Sequence, residues 1–151
     1  MEITSDIVKQ LRDKTGVSVM ECKKALVEAD GDMEKALAIL GTKSAASALK
    51  KADRELGAGV VASYTHNTGL AGAMVLLLSE TDFVSKNEEF INLAKDIAMH
   101  ATAMRPESVE EALSQEFIKD PSKTIKDLIS LATQKFGERV ELSQLAFFSV
   151  K

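Results

Sequence analysis

The sequence predicts an α+β fold: an N-terminal three-helix module, a connecting helix, then a small antiparallel three-stranded sheet with helices packed on one face. Three observations predict it. The first 56 residues carry apolar positions at helical spacing between N-cap and glycine stop signals. From Gly57 the pattern changes to strand formers, with turn residues His66-Asn67-Thr68-Gly69 between two runs. Helical periodicity then returns until a tail from Val140 to Val150 alternates as a strand. The expected division is 1-41 for the helical module, 42-56 for the connecting helix and 57-151 for the α+β core.

Each element has its own signals. The first helix takes Ser5 as N-cap, sets Ile7, Val8 and Leu11 on one face, and stops at Thr15-Gly16. The second opens with a capping box, Ser18 with Glu21, and carries Val19, Cys22, Leu26 and Ala29 to a stop at Asp30-Gly31. Asp32 caps the third, which carries Met33, Ala36, Leu37 and Leu40 and closes at Gly41. A bundle of this size is marginal alone and must dock on something or be helped by its neighbour. The connecting helix, roughly Ser44 to Leu56, is alanine-rich and basic through Lys43, Lys50, Lys51 and Arg54. Those cations suit either a solvated face or phosphate binding.

Val60 to Thr65 and the apolar run Leu70–Leu78 form the expected hairpin. Next come Glu80-Thr81-Asp82-Phe83-Val84-Ser85-Lys86-Asn87 and a helix with Phe90, Ala94, Ile97 and Ala101 on one side, for which Ser85 and Glu88 make a capping box. Arg105-Pro106 stops it. Ser108 opens a further helical segment through about Phe117, Asp120-Pro121-Ser122 reads as a loop, and Ile125 to Phe136 is an amphipathic helix ended by Gly137. The last strand slips phase around Ser143-Gln144, which calls for a bulge or a strand bend.

Composition narrows the function classes. The chain of 151 residues is 45% hydrophobic and 28% charged, as an ordinary globular protein is. Residues 1–54 hold ten Lys/Arg against nine Asp/Glu, and the rest nine against fourteen. A net charge of −4 argues against a dominant nucleic-acid footprint. Cys22 is the single cysteine, so an intrachain disulfide and a cysteine metal cluster are excluded, and its stripe predicts a buried structural thiol. No signal peptide opens the sequence and Leu70–Leu78 is too short to span a bilayer, so a cytoplasmic protein that does not engage membranes is expected. Catalytic signatures are absent, and His66 and His100 have no carboxylate at metal-ligand spacing. No enzyme chemistry is expected.

The corner after Leu78 is the most informative feature. An acidic residue and a large aromatic, Asp82 and Phe83, stand where a strand gives way to a helix, a place that presents residues to partners. The competing reading tucks Phe83 into the core and leaves Asp82 to solvate the turn.

Three blocks carry a resemblance. Leu11-Arg12-Asp13-Lys14-Thr15-Gly16-Val17-Ser18-Val19-Met20-Glu21-Cys22-Lys23-Lys24-Ala25-Leu26, then Glu80 through Asn87, and more weakly Asp120-Pro121-Ser122-Lys123-Thr124 through Gly137-Glu138, resemble the signatures of the bacterial elongation factor Ts family in their usual order. Two departures stand out: Val17-Ser18-Val19 where small residues and a Met are usual, and Glu138-Arg139 in place of Glu-Asn. Larger members also carry a second core half and a protruding coiled coil, for which this chain is too short.

The resemblance implies a guanine-nucleotide exchange factor for elongation factor Tu. The helical module resembles the family's ubiquitin-associated-type domain, and by position Lys9, Arg12, Val19 and Met20 would contact the partner. Thr81, Asp82, Phe83 and Val84 would press into the partner's nucleotide domain near its Mg²⁺ and phosphate loop, with Phe83 as a wedge. Mg²⁺ and nucleotide belong to the partner, so this chain needs no cofactor. Short members resemble one core half that pairs with itself, which implies a homodimer. Two other classes compete: a nucleic-acid-binding module using Lys23-Lys24 and the basic helix, and a docking or chaperone-like protein that would tolerate loss of Phe83.

Overall fold

The computed structural model describes residues 2–151. Three helices come first: α1 (Ser5–Thr15), α2 (Val19–Glu28) and α3 (Met33–Lys50). Val8, Leu11, Val17, Cys22, Leu26, Ala36 and Leu40 interlock as their core. The caps explain the boundaries. Thr4, not Ser5, caps α1 by accepting the Ile7 N–H at 3.4 Å, Ser18 accepts from Glu21, and Asp32 accepts from Lys35. Gly16 ends α1 at φ +71°, and its N–H returns to the Arg12 carbonyl at 2.7 Å.

Gly41 does not close the third helix, and the chain runs on without a break to Lys50, so bundle helix and connecting helix are one rod. A helical glycine costs about 1 kcal/mol, and the alanine-rich sequence beyond it, at Ala45, Ala46 and Ala48, offsets that. The rod lies against a helix of the core, where Ser44 donates to Gln134 and Leu131 joins the bundle's apolar cluster. That contact supplies the neighbour which a bundle this small requires.

The sheet has the order β1-β2-β5, antiparallel throughout, from β1 (Ala58–Thr65), β2 (Ala71–Ser79) and β5 (Glu141–Ser149). The expected bulge is present: Leu76 faces Gln144 and Leu77 faces Leu142, which leaves Ser143 as the extra residue. Its absorption keeps Leu142 and Leu145 on the inner face despite the broken alternation. Between β2 and β5 lie α4 (Asp82–Ser85), α5 (Glu88–Met104), α6 (Val109–Ser114), the short ribbon β3 (Glu116–Phe117) with β4 (Asp120–Thr124), and α7 (Ile125–Phe136). One core joins Val75, Leu77, Phe90, Ile97, Ile125 and Leu142, with all the helices on one side of the sheet. The opposite sheet face carries exposed Val61, Met74 and Phe148.

Two sequence expectations change here. The helical segment from Ser108 stops at Ser114 instead of about Phe117, and the expected loop at Asp120-Pro121-Ser122 is part of β4. The cause is His100 on α5, which is fully buried and takes the Ile118 N–H on Nδ1 at 3.2 Å while Nε2 meets Gln115 Oε1 at 3.0 Å. Those bonds draw residues 115–118 out of the helix into an extended segment. Proline is tolerated in β4 because this two-stranded ribbon is all edge.

Candidate functional site

The corner at residues 81–84 begins where β2 leaves the sheet. Ser79 is fully buried and donates its hydroxyl to the Thr81 carbonyl at 2.9 Å, turning the chain. Asp82 to Ser85 then form a single helical turn, with the Ser85 N–H on Thr81 O and the Lys86 N–H on Asp82 O. Ser85 is therefore not the N-cap of the long helix. It is buried, its hydroxyl donates back to the Asp82 carbonyl at 3.3 Å, and Asn87 caps α5 by accepting from Glu89 at 2.8 Å.

One turn separates its side chains sharply. Val84 is 5% exposed and belongs to the main core, whereas Phe83 next to it is 86% exposed. Phe83 is thus not a core residue, and the reading that buried it is excluded. Asp82 is exposed and pairs with Lys86 at 3.6 Å, an exposed i,i+4 contact of small energetic consequence. Thr81 is exposed and stands at the N-cap position, yet its hydroxyl caps nothing on α4. It points instead to Glu138, whose carboxylate accepts the Thr81 N–H at 2.9 Å and the Thr81 hydroxyl at 2.7 Å. The preceding carboxylate, Glu80, accepts the backbone N–H of Arg139 and lies 3.5 Å from the Arg54 guanidinium.

The second group of expected residues lies on the helical module. Lys9, Arg12 and Val19 share one shallow groove of about 320 Å³ between α1 and α2, lined also by Ile3 and Val8. Met20 is 67% exposed and sits on the neighbouring flank of α2 beside Lys23, Lys24 and Val27. Two large apolar side chains, Val19 and Met20, thus meet solvent at the first turn of α2 with cations around them. Cys22 faces the opposite way, into the bundle, where burial pushes its thiol up and it donates to the Val17 carbonyl at 3.5 Å.

The spacing of the sequence does not point to Glu138, Glu80 and Arg139 as neighbours of the corner. The available signal was the Glu138-Arg139 pair, visible only as a departure, and a pairing across 57 residues cannot be read from spacing. His100 is tied into the core by Gln115 and Ile118, and no cluster of three His, Cys, Asp or Glu that could hold a metal occurs among the described residues. No helix is long and apolar enough to cross a membrane among those residues.

Residues 80–151, which include the corner and its carboxylate partner, match the family described as Elongation factor TS. The chain is similar to elongation factor Ts of Thermodesulfovibrio yellowstonii, 38% identical over 194 residues that cover 99% of this chain and 97% of that protein. It is 36% identical to that of Acetivibrio thermocellus over 191 residues, covering 97% and 89%. Elongation factor Ts of Clostridium botulinum is 42% identical over 148 residues, covering 98% of this chain but 48% of the relative, so the chain spans about half the length of such members. With an exposed aromatic corner, a helical module and whole-chain similarity in agreement, the chain belongs to the elongation factor Ts family.

Proposed function

We propose that the protein is a translation elongation factor that binds elongation factor Tu carrying GDP and promotes GDP release, without covalent chemistry and without a cofactor of its own. The observation that carries this reading is Phe83, 86% exposed on a turn whose next residue is buried in the core. An aromatic ring that stands out from a turn whose next residue is anchored in the core is placed to fill a partner's pocket. Asp82 beside it supplies a carboxylate suited to competing for a partner's cations. Family membership supports the same assignment, and the bacterial cytoplasm is where such a factor would work.

The physical basis is negative coupling. A factor that binds the nucleotide-free partner best must weaken GDP binding by the same factor by which GDP weakens its own. A coupling of about 4 kcal/mol corresponds to roughly a thousandfold in affinity, expressed mainly as faster GDP dissociation. In this reading residues 1-41 serve as the anchor through Lys9, Arg12, Val19 and Met20. The 57-151 core delivers Thr81, Asp82 and Phe83 to the Mg²⁺ and phosphate-loop region, while Val84, buried in the core, holds the turn that carries them. The test is release of a fluorescent GDP from elongation factor Tu: acceleration by substoichiometric protein is expected, and an unchanged rate at excess protein would refute the proposal.

A homodimer completes the reading. The sheet face away from the helices carries Val61, Met74, Phe148 and, beyond the strand end, Val150, all exposed. A second copy offers the same face across a twofold axis. Light scattering at micromolar concentration is expected to give twice 16.3 kDa, and a mass of 16.3 kDa would reject pairing.

A further inference from the structure

We propose that Glu138 is a positioning residue for the exchange corner, acting with Glu80 in a reciprocal clamp between two chain segments. The proposal rests on the exchange reading above. Segment 80–81 ends β2 and opens the corner, and segment 138–139 leads from α7 into β5. Each segment gives a carboxylate and takes one. Glu138 accepts from the Thr81 backbone N–H, and Glu80 accepts from the Arg139 backbone N–H. The two bonds run in opposite directions between the same pair of segments, so neither can slide without breaking the other.

Glu138 goes further than its counterpart. Its second oxygen takes the Thr81 hydroxyl at 2.7 Å, so that one carboxylate holds both polar groups of the residue from which α4 starts. Thr81 would otherwise use that hydroxyl to cap α4, as Thr4 caps α1, and here it makes no such bond. An internal cap is exchanged for an external tether. The tether fixes where α4 begins and, together with Val84 in the core, sets the direction of the second residue of that four-residue helix, Phe83. Arg139 extends the hold by donating to the Arg54 carbonyl at 2.7 Å and to Glu141 at 3.0 Å, which links the turn after α3 to the same knot.

Position, not stability, is what such a clamp supplies. Thr81 is exposed and Glu138 half-buried, so water can replace the lost bonds and the melting temperature of Glu138→Ala should fall by no more than about 4 °C. Catalytic contacts, by contrast, lose rate steeply when misplaced by about 1 Å. The experiment is fluorescent GDP release from elongation factor Tu titrated with the wild-type chain, Glu138→Ala, Glu138→Gln and Thr81→Val, with amide hydrogen exchange followed at Thr81. Glu138→Ala is expected to lower the maximal release rate about tenfold, with less than about a threefold change in half-saturating concentration, and to speed exchange of the Thr81 amide at least about tenfold. Glu138→Gln should retain most of the rate, because its amide can accept the Thr81 N–H and donate to the hydroxyl oxygen. Thr81→Val, which keeps the backbone bond and the fold, should lose about threefold.

Wild-type rates in Glu138→Ala would overturn the proposal, as would a glutamine variant as slow as the alanine one. Absence of release by the wild-type chain would overturn the exchange reading and the role of Glu138 with it, and is told apart because the wild-type Thr81 amide would remain protected.

Discussion

The corner and the helical module both present apolar side chains to solvent, but they hold them by different means. At the corner, Phe83 stands on one turn that is anchored below by Val84 in the main core and behind by the Thr81 contacts with Glu138. On the module, Val19 and Met20 open a ten-residue helix whose other face fills a bundle core of small extent. The corner is a single point with its direction fixed from two sides. The module surface is broad, made of a groove and a neighbouring flank, and its position depends on how α3 lies against α7. A fixed point suits a wedge that must disturb a partner's site, and a broad surface suits an anchor.

The largest expected effect breaks the corner. On the proposed exchange reading, Asp82→Ala with Phe83→Ala should reduce GDP release at saturating factor by about tenfold or more, because only contacts made in the nucleotide-free complex drive exchange. Folding should be nearly intact, since an exposed ring contributes little burial. Phe90→Ala is the contrast: that ring is fully buried against Phe136 at a centroid distance of 6.0 Å, and its loss should cost about 3–5 kcal/mol. Thermal melts of the two variants decide whether Phe83 serves function or stability.

A smaller effect is expected on the module. Removing residues 1–41 outright would sever α3, so point changes are the cleaner probe. Val19→Ala with Met20→Ala should raise the half-saturating concentration about three- to tenfold and leave the maximal release rate within about twofold. A collapse of the maximal rate would make the module part of the exchange act and erase the distinction between wedge and anchor.

The sequence made much of this contrast legible, because capping and periodicity are local. The αL glycines Gly16 and Gly137, the caps Ser18, Asp32 and Ser108, and the bulge at Ser143 all follow from neighbours within a few residues. What escaped was non-local or a contest between near-equal signals. Ser85 and Asn87 both suit an N-cap, and the burial of Val84 and Ser85 decided between them. Gly41 looked like a stop, but nothing in its surroundings required one and the alanines beyond it carried the helix on. The Glu138 tether and the His100 bonds join residues far apart in the chain, and no spacing rule encodes them.

The last prediction separates the two regions by acid. Both histidines of the chain lie outside the helical module, and only one is built into the core. Burial holds His100 below its ordinary value of 6.5, the hydrogen bond with Gln115 opposing this in part. In the neutral ring Nδ1 accepts the Ile118 N–H, which makes Nε2 the donor to Gln115. A second proton would place two donors face to face at Nδ1 and strip the ribbon β3–β4 from α5. On the same flank Asp96 and Lys119 bind each other at 2.9 Å. Since the folded group binds a proton less readily than the unfolded one, stability contributed by neutral His100 is complete above about pH 6.5 and is lost as pH falls from there toward the depressed folded value. The slope cannot exceed about 1.4 kcal/mol per pH unit for one proton. Urea midpoints between pH 7.5 and 5.5 should therefore fall, with amide protection of Ile118 lost before that of Leu26 in the bundle. His100→Gln, less stable at neutral pH, should flatten the curve. Equal loss of protection in bundle and core would mean that the two melt as one unit, and the bundle would then have no stability separate from that of the core.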